Sequence, residues 1–379
     1  MIPFNRPYLT GNEITFIQEA HALGQLAGDG EFTKRCERWI EDTLGVKRAL
    51  LTHSCTAALE MAAIALDLKE GDEVIMPSYT FVSTANAVAL RGAMPIFVDI
   101  RADTLNIDEE LIEEAITPNT RAVFVVHYGG TACQMDKILD ICTRHGLFLV
   151  EDAAQALLSE FKGQSLGTFG HLATISFHET KNVISGEGGA LLINDEKMIE
   201  ACEIIREKGT DRSMFFRGEV DKYTWRSVGS SFVPGEIVAA FLWAQLQEAN
   251  FITRARKDIW QRYYNAFIQM HSSDEIQISV PHEDCEHNAH IFFIILENNL
   301  RRDEFIRKLR ERGVHTVFHY VPLHTSPMGL RLKPNSIKKL PVTESISARL
   351  VRLPIWIGLE RDQDYIITHV HNVIDSLND

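Results

Sequence analysis

Between residues 48 and 195 short apolar runs alternate with stretches whose apolar residues recur at helical spacing, an alternation that predicts β-α-β units around a mostly parallel sheet. Seven runs qualify as strands: residues 49–51, 73–76, 94–98, 122–126, 147–150, 174–177 and 190–193. Helical patterns lie between them at 56–66, 83–91, 108–115 and 135–145, several opening beside a Ser, Thr or Asp able to accept from free N–H groups. The pattern then changes. Residues 236–264 read as one long, nearly continuous helix, and beyond residue 285 a strand (290–296), a helix (302–312) and another strand (314–320) predict a small α+β lobe. The expectation is an α/β protein with a large seven-stranded sheet domain over residues 1–249 and a small C-terminal α+β domain over 250–379.

Composition narrows the classes. The 379 residues are 45% hydrophobic and 24% charged, ample for a buried core. The opening Met1-Ile2-Pro3-Phe4-Asn5 lacks the basic-then-apolar pattern of a leader and no stretch stays apolar long enough to span a bilayer, which predicts a cytoplasmic protein with no membrane partner. The six cysteines are scattered without a C-x-x-C pair and read as reduced thiols, with no metal site expected. A formal net charge of -14 argues against a nucleic-acid partner. It leaves open an anionic small molecule held by a few placed cations and N–H groups.

Four segments at predicted strand ends carry candidate chemistry. Ser176-Phe177-His178-Glu179-Thr180-Lys181-Asn182 runs from a strand into a polar turn with one lysine, followed by Gly186-Glu187-Gly188-Gly189. Such a lysine suits Schiff-base chemistry when partly desolvated, and equally suits a surface loop. Asp152, ending the run Leu149-Val150-Glu151-Asp152, would emerge at the carboxyl edge of the sheet, where a carboxylate can hold a cofactor's pyridine nitrogen protonated; a helix N-cap is the other reading. Ser54-Cys55-Thr56 place small donors where a helix starts, a phosphate site or an ordinary cap. Phe81 offers a ring for stacking or a cover for the core.

Those segments, with Gly28-Asp29-Gly30, Gly71-Asp72-Glu73-Val74-Ile75 and Glu151-Asp152-Ala153-Ala154-Gln155, resemble the DegT/DnrJ/EryC1/StrS group of sugar aminotransferases from Pro3 to the carboxyl end. The resemblance implies the aspartate aminotransferase type I fold of pyridoxal 5'-phosphate (PLP) enzymes, with pyridoxamine 5'-phosphate as the alternate cofactor form. It implies that Lys181 is the Schiff-base lysine and proton carrier, that Asp152 pairs with the ring nitrogen, that Phe81 stacks on the ring, and that Gln155 lies near the ring hydroxyl. Ser54, Cys55, Thr56 and Ser176 would hold the phosphate. Ser231 would reach the phosphate of a neighbouring subunit, so a homodimer with shared active sites is expected; the family usually has Asn there, and Val233 stands where it has Arg.

Within the family the chain is most similar to the branch that makes dTDP-4-amino-4,6-dideoxygalactose for enterobacterial common antigen, through segments such as Phe215-Phe216-Arg217-Gly218, Val220-Asp221-Lys222-Tyr223-Thr224-Trp225-Arg226 and Phe318-His319-Tyr320-Val321-Pro322-Leu323-His324. That similarity implies L-glutamate as amino donor and a dTDP-linked keto sugar as acceptor. Arg217, Lys222, Tyr223, Arg226, His319, Tyr320 and His324 become candidates for a substrate wall of aromatics and cations. C3 or C4 amination of another nucleotide sugar would use the same cofactor motifs. A dehydratase of the same fold, in which histidine replaces the lysine, is disfavoured by Lys181, and a non-catalytic regulator is disfavoured by Lys181, Asp152 and Gln155 together.

Overall fold

The computed structural model describes residues 1–273, 275–280, 282–297, 301–332 and 339–378. All seven apolar runs become strands of one sheet: β1 (Arg48–Thr52), β2 (Glu73–Pro77), β3 (Met94–Val98), β4 (Thr120–Val126), β5 (Phe148–Asp152), β6 (Leu172–Ser176) and β7 (Gly189–Ile193). Their spatial order is β1-β7-β6-β5-β4-β2-β3. Six strands run parallel, and β7 runs against both neighbours.

Helices cover both faces, which is why the central strands are apolar almost throughout. The side chains alternate. Leu50, Leu191, Leu172, Val150, Phe124 and Val74 pack under α3 (Cys55–Ala65), α4 (Val82–Ala89) and α6 (Ile199–Arg206). Ala49, Leu51, Ala173 and Leu192 meet α1 (Glu13–Leu23), α2 (Glu31–Leu44) and α7 (Glu236–Gln247), while Ile75, Val123 and Leu149 meet α5 (Met135–His145).

A helix α8 (Ala249–Ser272) leads to a second, three-stranded antiparallel sheet of β8 (Ile276–Ile278), β9 (Phe292–Leu296) and β10 (Leu350–Leu353). Trp260, Tyr263 and Phe267 of α8 share a core with Phe292, Ile294, Val351 and Leu353 of this sheet and with α9 (Arg302–Glu311) and α11 (Gln363–Asn378); α10 (Pro341–Arg349) leads directly into β10. No helix among the described residues is long and apolar enough to cross a membrane.

Three expectations are corrected. The helix expected over 236–264 is two helices, broken at Glu248 (φ −102°, ψ 8°); we propose the division between the lobes, expected at 249/250, at this break. Residues 108–115 form only two short 3-10 turns, because a helix there would set Glu109 against Glu113 and Glu110 against Glu114 at repulsive i,i+4 spacing. Residues 314–320 are not a strand: only Val314 and Val317 make single bridges, to Ile2 and Arg352, since the backbone leaves the ladder to carry His319 and Tyr320 into a cavity.

The early Gly28-Asp29-Gly30 is explained by close approach. A Cβ on Gly28 would stand 2.0 Å from Val233 Cγ1, and one on Gly30 2.5 Å from Glu236 Cδ. The buried Glu236 carboxylate accepts from the N–H groups of Gly30 (3.1 Å), Phe32 (2.8 Å) and Thr33 (3.1 Å), and from the Thr33 hydroxyl. It thereby closes the free start of α2. Glu236→Ala, which strands those donors, should cost on the order of 3 kcal/mol and lower Tm measurably, with Glu236→Gln between it and wild type. An unchanged Tm would mean that water replaces the carboxylate without loss.

Candidate active site

The carboxyl ends of the parallel strands lie along one edge of the large sheet, so the segments that leave β1, β2, β5 and β6 converge there with the start of the reversed β7. With Val126 at the end of β4 they line a cavity of about 570 Å³ whose remaining wall comes from the small lobe and from Phe4 and Asn5.

Lys181 sits in the loop joining β6 to β7, held by bonds from Phe177 N to Gly188 O (2.9 Å), Glu179 N to Gly186 O (2.8 Å) and Lys181 N to His178 O (2.9 Å). Its Nζ makes no hydrogen bond or ion pair with the described residues. Burial pushes its pKa down, against the pull of nearby Asp152, and the Arg352 charge pushes it the same way. Asp152 ends β5 and is buried; Oδ2 accepts from Thr84 Oγ1 at 2.7 Å and Oδ1 from Ala154 N at 3.2 Å. Burial pushes this carboxyl up, opposed by those two donors and by Lys181. No helix follows Asp152, so the N-cap reading does not apply. Its neighbour Glu151, on the opposite face of β5, accepts from Gly167, Phe169 and Gly170 N–H (2.8, 2.7 and 2.7 Å) and pairs with His127 at 2.9 Å, which fixes the strand end.

The start of α3 forms a second corner. Ser54 caps the helix, its Oγ accepting from Ala57 N at 3.1 Å, while the Cys55 and Thr56 N–H groups have no acceptor among the described residues. Thr56 Oγ1 lies 2.7 Å from Ser83 Oγ. A Cβ on Gly189 would come within 2.4 Å of Cys55 N, so glycine at the start of β7 is what lets the strand lie against this corner. Burial pushes the Cys55 thiol up to about 12, which leaves its backbone, not a thiolate, as the useful group. Ser176, at the end of β6, also faces the cavity, its Oγ accepting from His178 N at 3.4 Å.

The aromatic wall is tied together by hydrogen bonds. Gln155 Oε1 accepts from Gly129 N (2.6 Å) and Nε2 donates to Tyr320 OH (2.7 Å). Tyr320 stacks on His319 at 3.7 Å and lies 6.4 Å from Phe81, which is 56% exposed. Burial holds His319 well below the usual histidine range, so its neutral Nδ1 can accept from Tyr128 OH at 2.6 Å.

Other candidates lie elsewhere. Arg217 is paired with Glu203 (2.8 Å) and Glu219 (2.7 Å) on the surface. Lys222, Tyr223 and Arg226 are exposed, with Arg226 3.8 Å from Asp211, and Ser231 is exposed beside Glu207. His324 is buried between Ser78 Oγ (2.7 Å) and Glu344 Oε1 (3.2 Å). None of the six lines the cavity of its own chain. The sequence reading missed Ser83, Thr84, Arg256, His290 and Arg352. Arg352 alone left a signal there, a charge inside the apolar run Leu350-Val351-Arg352-Leu353.

A helix start with two unpartnered N–H groups, a buried carboxylate and an unpartnered, desolvated amine fit pyridoxal phosphate: phosphate at Cys55 and Thr56, ring nitrogen at Asp152, aldehyde carbon at Lys181. The comparisons agree. The DegT/DnrJ/EryC1/StrS aminotransferase family profile matches residues 7–371. The chain is similar to GDP-perosamine synthase of Vibrio cholerae, 31% identical over 365 residues and 96% of each chain. Among solved structures it is similar to the aminotransferase TlmJ of Streptoalloteichus hindustanus (29% identity, TM-score 0.91, 100% of both chains) and to the PMP form of Spr1654 from Streptococcus pneumoniae (26%, TM-score 0.92, 99% and 100%). The chain belongs to the DegT/DnrJ/EryC1/StrS aminotransferase family and is a PLP-dependent sugar aminotransferase acting on nucleotide-linked keto sugars.

Proposed function

We propose that this enzyme moves an amino group from L-glutamate to C4 of dTDP-4-keto-6-deoxy-D-glucose, giving dTDP-4-amino-4,6-dideoxy-D-galactose, as a homodimer. The observation that carries the reaction class is the unpartnered Lys181 amine in a cavity that also holds the buried Asp152. The choice of sugar is supported by the motif similarity of residues 215–226 and 318–324.

When bound, PLP carries the amino group between the two substrates and draws electron density from the carbon that loses its proton. Asp152 holds a proton at the ring nitrogen, and Thr84 and Ala154 keep that carboxylate oriented. Lys181 Nζ takes the proton from the α carbon of glutamate and, in the return half, delivers one to C4 of the sugar. Gln155 and Tyr320, bonded to each other, line the side of the cavity where Phe81 offers its ring.

The dimer is supported by apolar exposure on residues 212–228, where Phe216, Tyr223 and Trp225 are 69%, 52% and 81% exposed. Packed on a partner subunit, that segment and Ser231 would bring Arg217, Lys222, Tyr223 and Arg226 toward the partner's cavity. A GDP-linked 4-keto sugar is the second reading, favoured by the similarity to GDP-perosamine synthase.

Two measurements test the proposal. Purified protein with PLP should show a near-visible absorption band that Lys181→Ala loses, that glutamate bleaches and that dTDP-4-keto-6-deoxyglucose restores. Restoration only by a GDP-linked sugar would move the assignment to the second reading, and a band indifferent to Lys181→Ala would end the proposed role of that residue. The second measurement is the pH dependence of PLP capture by cofactor-free protein. Capture needs the neutral amine, and burial lowers the Lys181 pKa, so the rate should rise with pH and reach half its maximum below the free-lysine range. A midpoint within that range would show a solvated amine.

A further inference from the structure

His324 stands behind the cavity wall and not on it, yet it is buried and both its ring nitrogens have partners. Nδ1 lies 2.7 Å from Oγ of Ser78, the fully buried residue that follows β2, and Nε2 lies 3.2 Å from Glu344 Oε1 on α10. The same serine takes two backbone donors from this segment, His324 N at its Oγ (3.1 Å) and Leu323 N at its carbonyl (3.0 Å). The proton positions follow from the count of donors and acceptors. Ser78 Oγ already accepts from His324 N, so its own hydrogen goes to Nδ1, and Nε2–H donates to Glu344. The imidazole thus joins the end of β2 in the large lobe to two segments of the small lobe.

The turn that Ser78 begins reaches three parts of the site. Phe81 lines the cavity, Ser83 Oγ lies 2.7 Å from Thr56 Oγ1 at the start of α3, and Thr84 Oγ1 donates to Asp152 Oδ2 at 2.7 Å. Thr80 Oγ1, 3.0 Å from Thr84 Oγ1, ties the middle of the turn to α4. Its start is held on one side by the bond from Ser78 N to Val98 O (3.3 Å) at the end of β3. On the other side, His324 is the one small-lobe side chain that hydrogen-bonds to residues 78–84 among the described residues. Four residues before His324, Tyr320 accepts from Gln155 Nε2 on the cavity wall, 6.4 Å from the Phe81 ring. The histidine therefore fixes, from behind, how that wall and the turn face each other.

We infer that His324 is a positioning residue: through Ser78 it sets the turn that carries Phe81 and Thr84, and with it the angle at which the cofactor ring meets Phe81 and Asp152. The inference rests on the cofactor contacts proposed for those two residues. A ring with an acceptor at one end and a donor at the other suits this place, because it bonds a hydroxyl and a carboxylate at once.

The test reads the bound cofactor: near-visible circular dichroism of the PLP-loaded enzyme, which responds to the angle of the ring in its surroundings, and calorimetric affinity for pyridoxamine 5'-phosphate, with Tm beside them. Ser78→Ala and His324→Ala should alter the dichroic band alike, and the double variant no more than either. Each should weaken pyridoxamine phosphate binding on the order of tenfold. His324→Asn puts Oδ1 where Nδ1 stands and keeps the Ser78 bond, while the larger His324→Gln keeps only the Glu344 end. The band should return toward wild type in His324→Asn and not in His324→Gln, whatever the order of their Tm values. A wild-type band in Ser78→Ala would overturn the inference, and so would a band restored better by His324→Gln, which would mark His324 as packing alone. If His324→Ala does not fold, Ser78→Ala and the two amide variants decide the matter. Phe81→Leu should alter the same band; a band that responds to Ser78→Ala and not to Phe81→Leu would remove the proposed ring contact of Phe81 and leave His324 acting through Thr84 and Asp152. Neither readout uses glutamate or a sugar, so each decides the inference whatever the substrates prove to be.

Discussion

The site depends on taking one amine and one carboxylate out of water into the same cavity. Desolvation drives Lys181 and Asp152 toward their neutral forms, and their mutual attraction opposes it. The balance is uneven in a useful way. Asp152 has two hydrogen-bond donors of its own, from Thr84 and Ala154, while Lys181 Nζ has no partner among the described residues. The carboxylate is thus supported in its charged form and the amine is left ready to lose its proton, the pairing that the roles proposed for these two groups need.

That balance survives only if the groups are held in place, and the sheet does the holding. Asp152 is the last residue of a central strand whose preceding residue, Glu151, is bound by three backbone N–H groups and His127. Lys181 is on a loop closed between antiparallel β6 and β7, and β7 can approach α3 because Gly189 has no side chain to strike Cys55. The parallel strands bring the loop with the amine, the helix start with free N–H groups and the carboxylate to one sheet edge, and the reversed β7 starts there.

The large sheet was legible because each of its strands is a short apolar run with punctuation on both sides, and buried strands leave that pattern whatever lies around them. Two helices were misread for reasons that lie beyond hydrophobic spacing. The break at Glu248 is set by where α7 and α8 pack, and the acidic stretch 109–114 keeps helical spacing while its charges oppose the helix. In the small lobe the apolar residues of 314–320 suggested a strand, but His319 and Tyr320 are committed to bonds with Tyr128 and Gln155, contacts at separations of 191 and 165 residues that no local pattern carries. The corner proposed for the phosphate is visible as a motif because Ser54, Cys55 and Thr56 are adjacent in sequence. Thr84 is not, since it matters only through a partner supplied by distant chain, and the charge of Arg352 inside an apolar run marks a position without showing the cavity it faces.

A cavity that serves two substrates in turn must bind a charged amino acid and then a sugar whose reacting carbon bears no charge nearby. A permanently exposed cation beside Lys181 would suit only the first. Arg352, half-buried on the cavity wall, is held by its bonds to Phe318 O and its seat over the Phe4 ring. Nη1 has no hydrogen-bond partner among the described residues. The small-lobe wall and the corner proposed for the cofactor are therefore coupled, because the Arg352 charge adds to burial in lowering the Lys181 pKa.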